Sequence, residues 1–157
     1  MAPFRFRAAA ALDLRRKQEQ DAGADLARAE ALFREAIALS DAADVQRTRA
    51  QADQAAQASR GIDMATLFWH RNWITRLQAT VTDLRSDVRT KGAAVDEAKR
   101  RWQMARRRRM ALDRMRERAM ARHRAAEQRE ELKMIDELAR LRFMMPDAGE
   151  GGMTGGN

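Results

Sequence analysis

The sequence predicts an all-α protein: one long antiparallel two-helix coiled coil, a helical hairpin, with a glycine-rich tail. Three observations predict it. Proline occurs only at Pro3 and Pro146, which leaves 142 consecutive residues without one. A loop-rich or all-β chain does not look like that. The charged fraction is 34% and the aromatic fraction 5%, so Ala, Arg, Glu and Leu dominate, a composition of long helices. Third, Leu67, Ile74, Val81, Val88, Val95 and Trp102 recur every seven residues, with Leu77, Leu84, Ala98, Ala105 and Leu112 at the complementary position. Such an a/d repeat over several heptads marks a coiled-coil seam.

The first helix is expected over about residues 4–59. Leu12, Leu26 and Phe33 share one heptad position. Ala22, Ala29, Ala36, Ala43 and Ala50 share its partner, after Arg15. Glu19, Ser40 and Arg47 interrupt this seam, but its alanines let a second helix approach closely. A turn is expected at 60–63, where Gly61 suits a left-handed helix end and Asp63 suits an N-cap. The second helix is expected over about residues 64–143, with Lys91 interrupting its seam. Two long helices joined by a short turn pack antiparallel. Residues 1–145 therefore read as a single coiled-coil domain, and 146–157 as a flexible tail with Pro146 and five glycines.

The arms are unequal, roughly 75 to 85 Å against roughly 120 Å at the rise of an α-helix. Folding about Gly61 sets Phe4 near position 118. Beyond that point Leu132, Ile135, Leu138 and Leu141 form an apolar stripe with no partner helix in the chain, and such a stripe wants burial.

Charge is concentrated. The net charge is +8. Residues 99–124 hold twelve Lys or Arg against Asp113 and Glu117, a local balance of +10. "RRWQMARRRRM" is its centre. Four successive arginines project around a helix rather than along one face, so the bland reading is a solvated segment. The functional readings are an acidic protein surface or nucleic-acid phosphates. No zinc finger, helix-turn-helix or RNA-binding aromatic motif is present, so nucleic acid is the lesser reading. A generic scaffolding coiled coil is the other alternative.

Three of the eight aromatic residues, Phe68, Trp69 and Trp73, crowd into "MATLFWHRNWITRL". Leu67, Ile74 and Leu77 belong to the seam. At ~100° per residue Phe68, Trp69, Asn72, Trp73 and Arg76 point away from it. Either the loop bearing Ile62 and Met64 covers them, or they form an exposed interaction patch.

No catalytic chemistry is legible. His70 and His123 are far apart and lack a carboxylate or thiol cluster. His70 reads as a polar seam residue. No phosphate loop or nucleophile elbow occurs, and a two-helix rod offers no closed cavity. No cofactor, metal or small-molecule substrate is expected. No apolar run reaches transmembrane length. The N-terminal apolar stretch is short and broken by Asp13, so it does not read as a signal peptide, and a cytoplasmic protein is expected.

The start "FRFRAAAALDLRRKQEQDAGADLARA" resembles the N-terminal pattern of FliJ, the flagellar type III export protein, and its injectisome relatives. The matching positions are Phe4, Arg5, Phe6, Leu12, Leu14, Arg15, Glu19 and Ala22. The mid-chain hairpin, the length, and a basic second helix ending in "EQREELKMIDELA" are similar too. The resemblance implies a non-enzymatic stalk that enters the hexameric export ATPase, stimulates it, and contacts the export gate at the inner membrane and export chaperones. It implies a gate surface at Phe68, Trp69, Asn72, Trp73, Arg76 and Leu77. The ATPase surface would combine Arg106, Arg107, Arg108, Arg109, Arg114, Arg116 and Arg118 with Leu132, Ile135 and Leu138.

Overall fold

The computed structural model describes residues 3–144. The fold is a helical hairpin of two packed helices, α1 (Ala9–Ala58) and α2 (Met64–Met144). Among the described residues there is no strand. The expected tail, 146–157, lies outside them. The chain divides into two compact units, Asp13–Arg109 and Met1–Leu12 with Met110–Asn157.

In the unit of residues 13–109 the helices run antiparallel. Gln57 meets His70, Asp44 meets Arg85, and Glu19 meets Arg109, so each pair is centred between positions 63 and 65. The seam uses the expected heptads. Ala36, Ala43 and Ala50 are buried from α1, and Ile74, Leu77 and Val81 from α2. Val88 and Val95 are half-buried. The polar interruptions also stand in the seam: Ser40 is buried, while Glu19, Arg47 and Lys91 are half-buried. Period, rather than polarity, decides which residues face inward.

Two helix-interior glycines sit where the other helix delivers an aromatic ring. A Cβ at Gly92 would lie 3.3 Å from the Phe33 ring, and one at Gly23 would lie 3.5 Å from Trp102. Glycine costs a helix interior about 0.5–1 kcal/mol relative to alanine. Here that loss makes room for the largest side chains of the seam. The Gly23 site retains ordinary contact distance, so Gly23→Ala should raise stability by up to ~1 kcal/mol. Thermal unfolding followed by circular dichroism checks this, and a lower midpoint would mean the ring packs more tightly than the spacing indicates.

The turn follows the local chemistry of its residues. Gly61 has φ +84°, the left-handed region closed to most side chains. Its N–H reaches the Ala58 carbonyl at 3.4 Å. Asp63 caps α2, accepting the Thr66 amide at 2.6 Å. Hydrogen bonds from the Thr66 side chain and backbone hold the Asp63 carboxyl below its ordinary value of 3.8. A depressed carboxylate stabilises the fold above its unfolded pKa and loses that contribution as pH falls through the folded value. Asp63→Ala should therefore lower the melting midpoint at pH 7. The gap from the parent should close progressively below pH 3.8. A constant gap down to pH 2 would remove the charge from the explanation.

In the other unit, α1 begins later than expected. Pro3–Phe6 is not helical, and the first helical bonds run from Ala9 N–H to Phe6 and from Leu12 N–H to Ala8. Phe4, Phe6 and Ala8 are half-buried while Arg5 and Arg7 are exposed. That period of two is the signature of an extended segment with one covered face. The Phe4 ring meets His123 edge-on at 5.6 Å, and Leu12 is buried. Phe4 thus lies at 123, not 118. The pairing is centred beyond Gly61 because the first turn of α2 runs past the end of α1. Residues 112–127 still include half-buried positions, and every residue from 128 to 144 is exposed. The unpartnered stretch therefore starts ten residues later than the sequence implied.

Candidate functional site

The first candidate surface lies beside the turn. Phe68 is 67% exposed, Trp69 62% and Trp73 43%. Met64 is exposed as well, so the incoming loop does not hide the aromatics. The phase argument explains why: Leu67 and Ile74 take the inward positions, which turns their neighbours out. Trp69, Asn72, Trp73 and Arg76 together line a surface hollow of about 180 Å³. A second groove, about 480 Å³, runs between the tryptophans and α1, where it meets Arg49, Asp53 and Gln57.

Leu77 requires a correction as a surface residue. It is 6% exposed and clusters with Ala50 and Ile74. It forms the floor of the larger groove, so a partner would touch its edge at most. His70 is buried as expected for the seam. Its Nε2 lies 2.8 Å from Gln57 Oε1, a hydrogen bond in which the imidazole N–H donates. The Trp69 ring stands edge-on to His70 at 5.1 Å. This contact fixes one tryptophan against a buried polar pair. The α1 side of the groove was missed from sequence. Its signal was present: Gln46, Arg49, Asp53 and Gln57 recur at i, i+3, i+7 and i+11, a polar stripe beside the Ala43–Ala50 seam.

The arginine-rich segment separates into different environments. In the 13–109 unit, Arg109 turns inward and holds Glu19 through Nε at 2.5 Å and Nη2 at 3.3 Å. Both side chains are mostly shielded, at 26% and 18% exposure. Arg109 is therefore engaged in the hairpin rather than offered to a partner. Arg106 stacks over the Trp102 ring at 5.3 Å, an arrangement that uses the ring's negative face. Arg107 and Arg108 are exposed. Arg100 and Arg101 both engage Glu97, and their hydrogen bonds hold its carboxyl below the ordinary range. In the other unit Arg114, Arg116 and Arg118 are exposed.

The second candidate surface is the end of α2. Leu132, Ile135, Leu138 and Leu141 are each about 60% exposed. Ile135, Leu138, Leu141 and Phe143 help line an open apolar hollow of about 770 Å³. Among the described residues no helix is long and apolar enough to cross a membrane. Among the described residues no group of three or more His, Asp or Glu is placed to hold a metal.

Two long packed helices are what the resemblance led one to expect. The family described as "Flagellar FliJ protein" matches residues 8–147, most of the chain. The chain belongs to the FliJ family. No curated protein and no solved structure matches it. FliJ proteins are non-catalytic components of flagellar protein export. Membership relates this FliJ-family chain to flagellar export.

Proposed function

We propose that this FliJ-family chain is the stalk of a flagellar-type export apparatus: it binds and stimulates the hexameric export ATPase through the end of α2 and the exposed arginines. The observation that carries the reading is the run of exposed residues from 128 to 144, helical throughout. A 17-residue amphipathic helix end with nothing packed on it has its natural use in a larger assembly. Arg107, Arg108, Arg114, Arg116 and Arg118 would add charge contacts to acidic loops. Exposed ion pairs contribute only ~0–1 kcal/mol each, so such contacts exchange readily between equivalent subunits of a ring. The protein then works in the cytoplasm, peripherally at the inner-membrane export apparatus, with export chaperones as further partners. Measuring ATP hydrolysis by the cognate ATPase with and without the chain tests this. Absence of both binding and stimulation would sink it, and retention of duplex DNA at 150 mM salt would favour the nucleic-acid alternative.

The exposed aromatics suit the cytoplasmic part of the export gate. Phe68, Trp69 and Trp73 are large, rigid anchors outside the core, the kind of side chain that dominates binding energy at interfaces. Replacing Trp69 and Trp73 together with Ala should leave helix content intact and weaken gate binding by tenfold or more, since one interface tryptophan often contributes over ~2 kcal/mol. A double variant that melts well below the parent would instead make these rings structural.

A further inference from the structure

Phe68, Trp69 and Trp73 share the patch beside the turn but not the same support. Trp69 stands edge-on to the His70 ring at 5.1 Å, with 78° between the two planes. Phe68 and Trp73 have no such ring contact among the described residues. His70 is buried, whereas Trp69 beside it is exposed. The exposed indole therefore rests against a buried imidazole, and whatever holds the imidazole also bears on the indole.

Gln57 holds the imidazole. It lies in the last turn of α1, and its Oε1 accepts the His70 Nε2–H at 2.8 Å. The bond ties α1 to α2 beside the turn. An aromatic ring has broad freedom about its second side-chain torsion when nothing fixes it. A hydrogen bond to a ring nitrogen narrows that freedom, and burial blocks escape to another rotamer. Edge-to-face packing depends on orientation, so a fixed imidazole plane offers Trp69 one preferred pose. Gln57, His70, Trp69 and Trp73 all border the groove between the helices. The pose is thus set where a partner would enter.

We infer that Gln57 and His70 are positioning residues for Trp69: the end of α1 sets the pose of the indole that the partner meets. The inference rests on the reading of the aromatic patch as the gate surface. Binding orders exposed side chains, and each one that must be immobilised weakens affinity. A tryptophan already held has less freedom to lose. For one such side chain the gain is about three- to tenfold in affinity. Phe68 and Trp73 lack this support, so the partner itself has to order them. Gln57 is exposed, so its side chain adds little to the core. Without it the His70 N–H borders a groove open to water, and hydration replaces most of the lost bond. Positioning and folding can therefore be told apart at this residue.

Fluorine NMR of the full chain carrying 5-fluorotryptophan tests the positioning with no partner present. The chain has three tryptophans, and Trp69→Phe, Trp73→Phe and Trp102→Phe assign the signals. In Gln57→Ala the Trp69 signal should move toward that of free fluoroindole and sharpen. The Trp102 signal should stay in place, and the melting midpoint should shift by less than ~4 °C. Gln57→Glu, whose carboxylate also accepts the imidazole N–H, should restore the parent spectrum. Affinity for the cytoplasmic part of the gate should fall about three- to tenfold in Gln57→Ala and recover in Gln57→Glu. Gln57 borders the groove, so a double-mutant cycle separates positioning from direct contact. In a Trp69→Ala background, Gln57→Ala should cost no further affinity. An unmoved Trp69 signal, a Trp102 signal that moves with it, or equal losses of affinity in both backgrounds would each overturn the inference. A parent chain that does not bind the gate would refute the gate reading instead, and the fluorine spectra would still decide whether Gln57 holds Trp69.

Discussion

Val81→Asp should melt about 10–20 °C below the parent protein. Val81 is 2% exposed and lies where the two helices come together. Losing its burial removes ~1.5–3 kcal/mol. A carboxyl left without a partner there adds ~1–3 kcal/mol. For a chain of this size each kcal/mol shifts the midpoint by roughly 2–4 °C. Val88 and Val95 occupy the same heptad position but are only half-buried. Val88→Asp should therefore fall much less, because its carboxylate can turn to water. Circular dichroism melts of the two variants side by side supply the measurement. Equal shifts would show that seam position, rather than burial, sets the energetics, and an unchanged Val81→Asp would place the seam elsewhere.

Ending the chain after Gln128 should abolish stimulation of the export ATPase while leaving the melting of the hairpin nearly unchanged. The two halves of that expectation have separate causes. Residues from 128 to 144 are exposed, so no described residue relies on them for burial. The apolar face of Met134, Leu138 and Leu141 is what a partner would cover. A complementary variant changes Arg107, Arg108, Arg114 and Arg118 to Gln and keeps the helix. Stimulation by that variant should fall most at low ionic strength, where exposed charges act beyond ~10 Å. Arg109 is left out because it holds Glu19, and its loss would confuse stability with binding. ATP hydrolysis at two salt concentrations reads both variants. Full stimulation by the truncated chain would relocate the ATPase surface.

The two helices and their seam were legible because heptad spacing is a strong, redundant signal. Even Glu19, Ser40 and Arg47, which look like faults in α1, stand in the seam. Position wins over polarity, since neighbours on either side fix the phase. The start of α1 was less legible. "FRFR" is compatible with a helix until one sees that Phe4 and Phe6 are covered on alternate residues. Register was missed by five positions, because a turn sequence does not reveal how far the second helix runs before meeting the first. The off-seam placing of the aromatics followed from phase, but their exposure and the α1 wall of the groove needed the structure. Arg109 could not be told from its neighbours in a run of four arginines. Only the opposing Glu19 distinguishes it.

The two glycines facing Phe33 and Trp102 bear on mechanics as well as on packing. Each ring occupies a notch that recurs nowhere else along the opposing helix at that phase. Sliding one helix past the other by a heptad would bring Trp102 against Arg16 or Glu30, and Phe33 against Arg85 or Lys99. Neither position has the empty space that Gly23 and Gly92 leave. An alanine-lined seam is smooth and by itself tolerates slippage. These two rings act as keys in keyways, so a lengthwise shear on the hairpin between residues 13 and 109 would meet a steric stop before the helices could move by one repeat.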